Sequence, residues 1–131
     1  MLRLSLLCFA VGLGFAAETG KSKSVTFHRE VLPVLQAKCQ GCHRPGEAAP
    51  FSLQTYQQAR PWAKAMREAV LAKRMPPWFA DRTIGKFAND RSLSEQEIRT
   101  IVSWIDSGMP RGEDSDLPEP IQFVAGWQIG E

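Results

Sequence analysis

Apolar residues recur at helical spacing in three separate stretches of the chain. In the first stretch, Phe27, Val31 and Leu35 fall on one face, and the pattern runs up to Cys39. Spacings of three and four residues are typical of an amphipathic helix. Because Pro33 has no backbone N–H, it either begins this helix after a short turn or kinks it.

The second stretch predicts a longer helix over residues 55–73. Pro61 lies near its start and is expected to split off the first turn or to begin the longer part. The apolar stripe of this helix consists of Ala59, Trp62, Ala63, Met66, Ala69 and Val70.

The third stretch has the clearest helix signals. Ser94 and Glu97 form the sequence pattern of a capping box, and Gly108 followed by Pro110 marks the end of the helix. The apolar positions between them are Ile98, Ile101, Val102 and Ile105. Since no stretch alternates apolar and polar residues convincingly, the sequence predicts an all-α fold.

The two ends of the chain differ from this helical region. Residues 1–16 carry one early positive charge, an uncharged apolar run and small residues before Ala16, as a secretory signal peptide does. Residues 17–24 are polar and predict a disordered leader. The helical domain is then expected to span 25–110, and 111–131 to form an acidic, proline-bearing linker with an apolar tail.

The apolar tail is not typical of a disordered end. It contains Phe123, Val124 and Trp127, and disordered segments rarely carry such side chains. We expect the tail to pack on the domain or to bind a partner.

Cleavage after Ala16 would leave about 115 residues, enough for one domain with one core. It would also remove Cys8, so that both remaining cysteines belong to one motif. The apolar run is short for a permanent membrane span, and retention would make it an anchor. The sequence therefore predicts a periplasmic or otherwise exported protein, with membrane association as the alternative.

The charge balance narrows the function further. The formal net charge is +2, and the basic residues are not clustered into an extended patch. Nucleic-acid binding needs such a patch, so we exclude nucleic acid as a partner.

The motif that holds both remaining cysteines is Cys39-Gln40-Gly41-Cys42-His43. C-x-x-C-H is the attachment signature of c-type haem, in which two thiols meet two vinyl groups and the histidine coordinates the iron. Zinc bound by both cysteines, His43 and His28 is one alternative. However, Cys42 and His43 are adjacent in sequence and cannot readily coordinate the same tetrahedral ion. A redox dithiol is another, but it calls for a βαβ pattern that is missing here.

The order of these features resembles a class I cytochrome c domain. The shared order is a helix that runs into C-x-x-C-H, a proline-bearing loop, a methionine followed by prolines, and a capped final helix. Three stretches, Cys42–Glu47, Met75–Trp78 and Phe87–Ser94, are similar to those of exported bacterial cytochrome c modules. Such modules often precede a larger domain, and this chain looks like a stand-alone version or a shortened relative. The resemblance implies a small helical domain around one haem c, covalently attached through Cys39 and Cys42.

The axial ligands follow from position and from the resemblance. His43 is the proximal ligand, and Pro50 either accepts its Nδ1–H through a carbonyl or only turns the loop. Met75 is the favoured sixth ligand, since it lies in a loop where two following prolines restrict the backbone. Small bacterial cytochromes also carry Met-Pro-Pro at the ligand.

The competing residues have structural explanations. Met66 lies on the stripe of the second helix and is expected to pack in the core. Met109 follows the last helix and is expected to make a cap contact. His28 precedes the first helix and is expected on the surface, partly exposed. An open sixth site is the remaining alternative.

The three tryptophans that precede the tail divide into two groups. The first group consists of Trp62, together with Arg60, and Trp78. These residues either bind haem propionates through N–H groups or pack around the core. Trp104 lies on the last helix and is expected in the core.

Coordination by both His43 and Met75 would leave no site open for a substrate, so the sequence predicts a one-electron carrier rather than an enzyme. Its partner would be a redox protein that the sequence does not identify. A five-coordinate haem, as in a redox sensor or a peroxidase, is the alternative if Met75 is not a ligand. A further alternative is a module that docks through its tail on a larger enzyme and delivers electrons to it.

Overall fold

The computed structural model describes residues 24–81 and 83–124. The predicted signal segment 1–16, the leader up to residue 23 and Trp127 lie outside the described residues. Within the described ranges the regular structure is helical, with no strand, and the all-α prediction is confirmed. None of the helices described there has the length and hydrophobicity needed to cross a membrane.

The first helix begins as a π-helical turn, Phe27–Val31, and continues as helix α1, Leu32–Lys38. Pro33 lies in the first turn of α1, a position at which helices tolerate proline. Of the two alternatives for Pro33, a start after a short turn agrees with the structure, since α1 begins at Leu32 after the π-helical turn.

The second helix is divided where Pro61 lies. Helix α2, Tyr56–Ala59, is followed by a 3₁₀ turn, Arg60–Trp62, and then by helix α3, Ala63–Leu71. The start of α2 carries a capping box, in which Thr55 and Gln58 each bond the other's backbone N–H.

Helix α4, Glu95–Asp106, has both of the predicted ends. The Ser94 hydroxyl accepts from the Glu97 N–H, and the Glu97 carboxylate accepts from the Ser94 N–H. Gly108 has a φ of +89° at the other end. The Met109 N–H donates to the Trp104 carbonyl at 2.9 Å and the Gly108 N–H to Ile105 at 3.2 Å, the bonds of a Schellman motif.

The core lies where the first helix, α3 and α4 meet. Its largest fully buried side chains are Trp104, Phe27, Leu35, Ile101 and Val31. Each buried side chain of this size contributes about 1.5–3 kcal/mol relative to an exposed one. The indole N–H of Trp104 donates to the Pro110 carbonyl at 3.0 Å, so the one polar atom of this side chain is satisfied. The prediction that Trp104 is a core residue is confirmed.

Residues 110–123 form what we call the C-terminal strap. It begins with two bonds to the π-helical turn: the Phe27 N–H donates to the Pro110 carbonyl at 2.9 Å, and the His28 N–H to the Arg111 carbonyl at 3.0 Å. Composition predicts a linker over most of this segment, whereas the structure places it in contact with the first helix.

The strap runs parallel to the first helix and ends beyond it. The Gln36 side-chain amide donates to the Glu119 carbonyl at 3.0 Å. The guanidinium carbon of Arg44 lies 4.3 Å from the centre of the Phe123 ring. The strap therefore joins the start of the first helix to the loop that follows it.

The strap also buries His28, which has only 3% of its surface exposed. Its Nδ1–H donates to the Glu113 carbonyl at 2.9 Å, and the Asp114 carboxylate lies 3.8 Å away. The prediction that His28 is partly exposed is wrong, because the segment that covers it comes 85 residues later in the chain.

Candidate haem-binding site

The C-x-x-C-H motif forms a tight turn at the end of α1. The amides of Cys42 and His43 both donate to the Cys39 carbonyl, at 3.1 and 2.9 Å. Gln40 is buried behind the turn, where its side-chain amide donates to the Leu53 carbonyl at 3.0 Å. These bonds fix the turn so that both cysteines and His43 face the same space.

That space is a cavity of about 530 Å³. Its volume lies within the range of about 300–1,000 Å³ that is common for cofactor sites. The walls are mainly apolar and come from α1, the 48–53 loop, α3, α4 and the Met75 loop. They include Leu35, Cys39, Cys42, His43, Phe51, Leu53, Trp62, Met66, Val70, Met75, Pro76 and Ile101.

His43 is oriented by the loop that follows it. Its Nδ1 lies 3.2 Å from the Phe51 carbonyl oxygen, which can only accept, so Nδ1–H donates and Nε2 stays free for a metal. The prediction that the Pro50 carbonyl has this role is wrong by one residue. The Phe51 ring also lies 4.6 Å from the His43 ring and stacks on Trp62 at 4.0 Å.

The cavity brings two of the candidate sixth ligands together with His43. Met75 and Met66 both line it, whereas His28 and Met109 do not. Met66 is 8% exposed on the α3 stripe, and Met75 is 44% exposed in the loop after α3. Met109 lies at the end of α4, as predicted.

The four residues of the zinc alternative are not assembled in one place. Within residues 24–81 and 83–124, no three His, Cys, Asp or Glu side chains are grouped so that they would hold a metal ion. The ring of His28 bonds to Glu113 in the strap instead.

The thiol of Cys39 has the wrong chemistry for a redox dithiol. Burial raises the pKa of the Cys39 thiol to about 12, and the nearby Glu97 carboxylate adds to the effect. Catalytic dithiols need a lowered pKa, since the thiolate is the attacking species. Cys39 lines the apolar cavity together with Cys42 and His43, as attachment of a haem through both thiols requires.

A second cavity of about 200 Å³ lies on the other side of Met75 and shares Val70, Met75 and Pro76 with the first. Trp78 lines it, and its indole N–H is buried without a hydrogen-bond partner among the described residues. Such an unpaired donor costs about 1–3 kcal/mol. The two cavities meet at Met75, so a haem propionate that extended into the second one could accept from this N–H, and the side chains present fit this cofactor.

Sequence reasoning found the thiols, His43 and Met75 but missed two parts of the cavity wall. One is Phe51, whose carbonyl and ring both contact His43. The other is Arg91, which lines the cavity and passes so close to the motif that a Cβ on Gly41 would lie 3.3 Å from its Nη1. The only sequence signal for Arg91 is its place inside the Phe87–Ser94 stretch.

Three packed helical segments around an apolar cavity, with C-x-x-C-H in its wall, define a small haem-binding domain. The family model for cytochrome c matches residues 33–108, which is more than half of the chain. The chain therefore belongs to the cytochrome c family, and the prediction of a class I cytochrome c domain is confirmed. Searches of curated proteins and of solved structures give no significant match.

Membership of this family makes the protein a haem-binding electron-carrier cytochrome, and haem c is the cofactor that the family binds covalently. The match begins at Pro33 and ends at Gly108. It thus covers the motif, the cavity and α4, while the whole strap lies after it.

Proposed function

We propose that this protein is an exported one-electron carrier with a single haem c, attached through Cys39 and Cys42 and ligated by His43 and Met75. The observation that carries the proposal is that all four side chains line one apolar cavity. Nothing in this arrangement calls for a substrate site, so we propose electron transfer rather than catalysis.

When bound, the haem supplies an iron that gains and loses one electron. The residues of the chain control how it does so. His43 offers Nε2 because its Nδ1–H is held by the Phe51 carbonyl at 3.2 Å. Met75 offers a thioether, which raises the reduction potential relative to a second histidine.

The apolar wall has two effects on this site. Side chains such as Leu35, Phe51 and Ile101 exclude water from the cofactor, which favours the less charged reduced state. They also leave little polar surface for a reacting substrate to bind. Both effects suit a carrier whose partner is another redox protein.

Export is the second part of the proposal. Residues 1–16 have the three-part pattern of a signal peptide. Removal of this segment would leave only the two cysteines that the haem uses, so no other thiol would compete for oxidation outside the cytoplasm.

One observation favours a second candidate, a five-coordinate haem in a sensor or peroxidase. Met75 is 44% exposed and stands in a loop, so its sulfur is less firmly held than that of Met66. The second candidate predicts that carbon monoxide binds the reduced wild-type protein readily.

The test of the main proposal is covalent attachment. The full chain is expressed with cytochrome c maturation machinery, and the purified product is examined by pyridine haemochrome spectroscopy and intact mass. We expect one haem per chain that remains after acid-acetone extraction, and loss of covalent haem in the Cys39→Ala, Cys42→Ala double variant.

Haem that extracts into acid acetone from a polypeptide of unchanged mass would overturn the proposal. Export is measured on the same culture by periplasmic fractionation, with a variant that lacks residues 2–16 as the control. We expect mature protein in the periplasm from the full chain and none from that variant.

A further inference from the structure

We infer that Phe123 of the C-terminal strap is a positioning residue for Arg44, and that the fixed charge of Arg44 raises the reduction potential of the haem. The inference rests on the proposed covalent haem at Cys39 and Cys42. It extends the haem site to a segment that lies outside the residues matched by the family model.

Arg44 follows His43 directly and closes the motif from outside. Its Nη1 donates to the Gln40 carbonyl at 3.2 Å and also to the Gly41 carbonyl, and its Nη2 donates to the Glu47 carboxylate at 2.6 Å. The Arg44 side chain is only 15% exposed. The guanidinium therefore occupies a fixed place on the backbone of the haem-attachment turn.

Phe123 forms one wall of that place. Its ring centre lies 4.3 Å from the guanidinium carbon, within the range of a cation–π contact. Phe123 is half-buried, whereas Ile121, Gln122 and Val124 around it are exposed. Its side chain is thus the inward-facing one among the described residues at the end of the strap.

The strap delivers Phe123 to this position. The bond between Gln36 and the Glu119 carbonyl fixes the strap four residues earlier. Nearer its start, the Arg29 guanidinium lies 3.8 Å from the Asp116 carboxylate, and His28 bonds to Glu113. The Phe123 ring therefore lies at the end of an anchored segment. The anchors hold the ring in contact with Arg44.

The electrostatic consequence follows from the positive charge of the Arg44 guanidinium. Oxidised haem carries one positive charge more than reduced haem, so a nearby guanidinium disfavours oxidation. Glu47 offsets part of this charge, but its carboxylate is more exposed, at 37%, and is better screened by water. Without Phe123, the guanidinium would gain freedom to leave the turn for solvent, where its effect on the haem would be weaker.

A double-mutant cycle on the matured holoprotein tests this. The variants are Arg44→Gln, Phe123→Ala and the two combined, with Val124→Ala as the neighbouring control and Phe123→Tyr as the rescue. The midpoint potential is measured by spectroelectrochemistry, and the exchange rates of the Cys42 and His43 amides by hydrogen exchange.

We expect Phe123→Ala to shift the reduction equilibrium toward the oxidised state by about threefold, and Arg44→Gln by at least as much. The double variant should match Arg44→Gln, because Phe123 acts only through Arg44. Phe123→Tyr and Val124→Ala should keep the wild-type potential. Phe123→Ala should also speed exchange of the two amides severalfold.

A potential that stays unchanged in Phe123→Ala, even with a lower melting temperature, overturns the inference, since Phe123 would then only stabilise the fold. Additive shifts in the double variant overturn it as well. If Arg44→Gln yields no holoprotein, the comparison of Phe123→Ala with Phe123→Tyr still decides. Wild-type protein without covalent haem would instead overturn the proposed function, which the haemochrome spectrum shows before any potential is measured.

Discussion

Two methionines line the cavity beside His43, and their surroundings differ in a way that bears on ligation. Met66 is on α3, and its side chain is buried in the core, with only 8% of its surface exposed. Met75 is in a loop, and its sulfur can move toward the iron without breaking a helix. Position in a loop, rather than proximity to the cavity, is therefore what distinguishes the proposed ligand.

Met75→Ala should convert the holoprotein to a form that binds carbon monoxide when reduced. It should also lose the weak long-wavelength band of thioether ligation in the oxidised state and lower the midpoint potential, since a weak-field ligand that favours reduced iron is removed. Covalent haem should be retained. Optical spectra of both oxidation states, with and without carbon monoxide, measure the change.

Met66→Leu is the matched control, because Met66 lines the same cavity. It should keep the thioether band and cost less than about 1.5 kcal/mol in stability. A band that persists in Met75→Ala and disappears in Met66→Leu would show that Met66, and not Met75, is the sixth ligand.

At the scale of elements, the sequence predicts the helices well because their signals are local. The capping box of Ser94 and Glu97, the Gly108 end and the effect of Pro61 each depend on residues a few positions apart. The C-x-x-C-H motif is equally local, so the core of the site could be predicted too.

The wrong predictions concern contacts that the spacing of nearby residues does not determine. The choice between Pro50 and Phe51 as the acceptor for His43 depends on the path of one loop. The burial of His28 depends on Glu113, which lies 85 residues away. The composition of the strap is typical of a linker because it is acidic and contains prolines, whereas the bonds that hold it are accepted mainly by its backbone carbonyls.

We expect Glu30, in the first helix, to make the stability of the protein depend on pH in the acid range. Partial burial would raise the pKa of Glu30, but bonds from the Thr26 N–H at 2.7 Å, from the Thr26 hydroxyl and from Arg29 lower it overall. Because the pKa of Glu30 is lower in the folded than in the unfolded state, ionised Glu30 stabilises the fold at pH values above its unfolded-state pKa. This stabilisation is lost as the pH falls through the folded-state pKa.

Glu30→Gln should therefore lower the melting temperature at pH 7, by an amount that corresponds to about 1 kcal/mol. The difference from wild type should shrink as the pH is lowered below about 4.5. Circular dichroism melts between pH 7 and pH 3 measure it, with Glu68→Gln on the exposed side of α3 as the control. A difference that stays constant over this range would contradict the assignment.

At the scale of the whole molecule, the strap acts as a brace along the first helix. Truncation after Pro118 removes the Glu119 bond to Gln36 and the Phe123 contact with Arg44. Together these contribute about 1–2 kcal/mol, so the melting temperature of the holoprotein should fall by roughly 4 °C or more.

Truncation after Val124 is the control, because it leaves every contact described for the strap in place. Scanning calorimetry of the two truncated holoproteins and the full chain makes the comparison. Equal melting temperatures for the Pro118 truncation and the full chain, with fast amide exchange along 119–124, would mean that the end of the strap is not held in solution.

The direction of the strap has a consequence for engineering. Because it runs parallel to the first helix, the backbone leaves the described part of the molecule at Val124, next to the residue that contacts Arg44. A reductase or an electrode-binding peptide fused at this point would be tethered on the same side as the haem-attachment turn. Short linkers raise effective concentrations to the millimolar range, so such a fusion would exchange electrons within one chain and compete with diffusing partners.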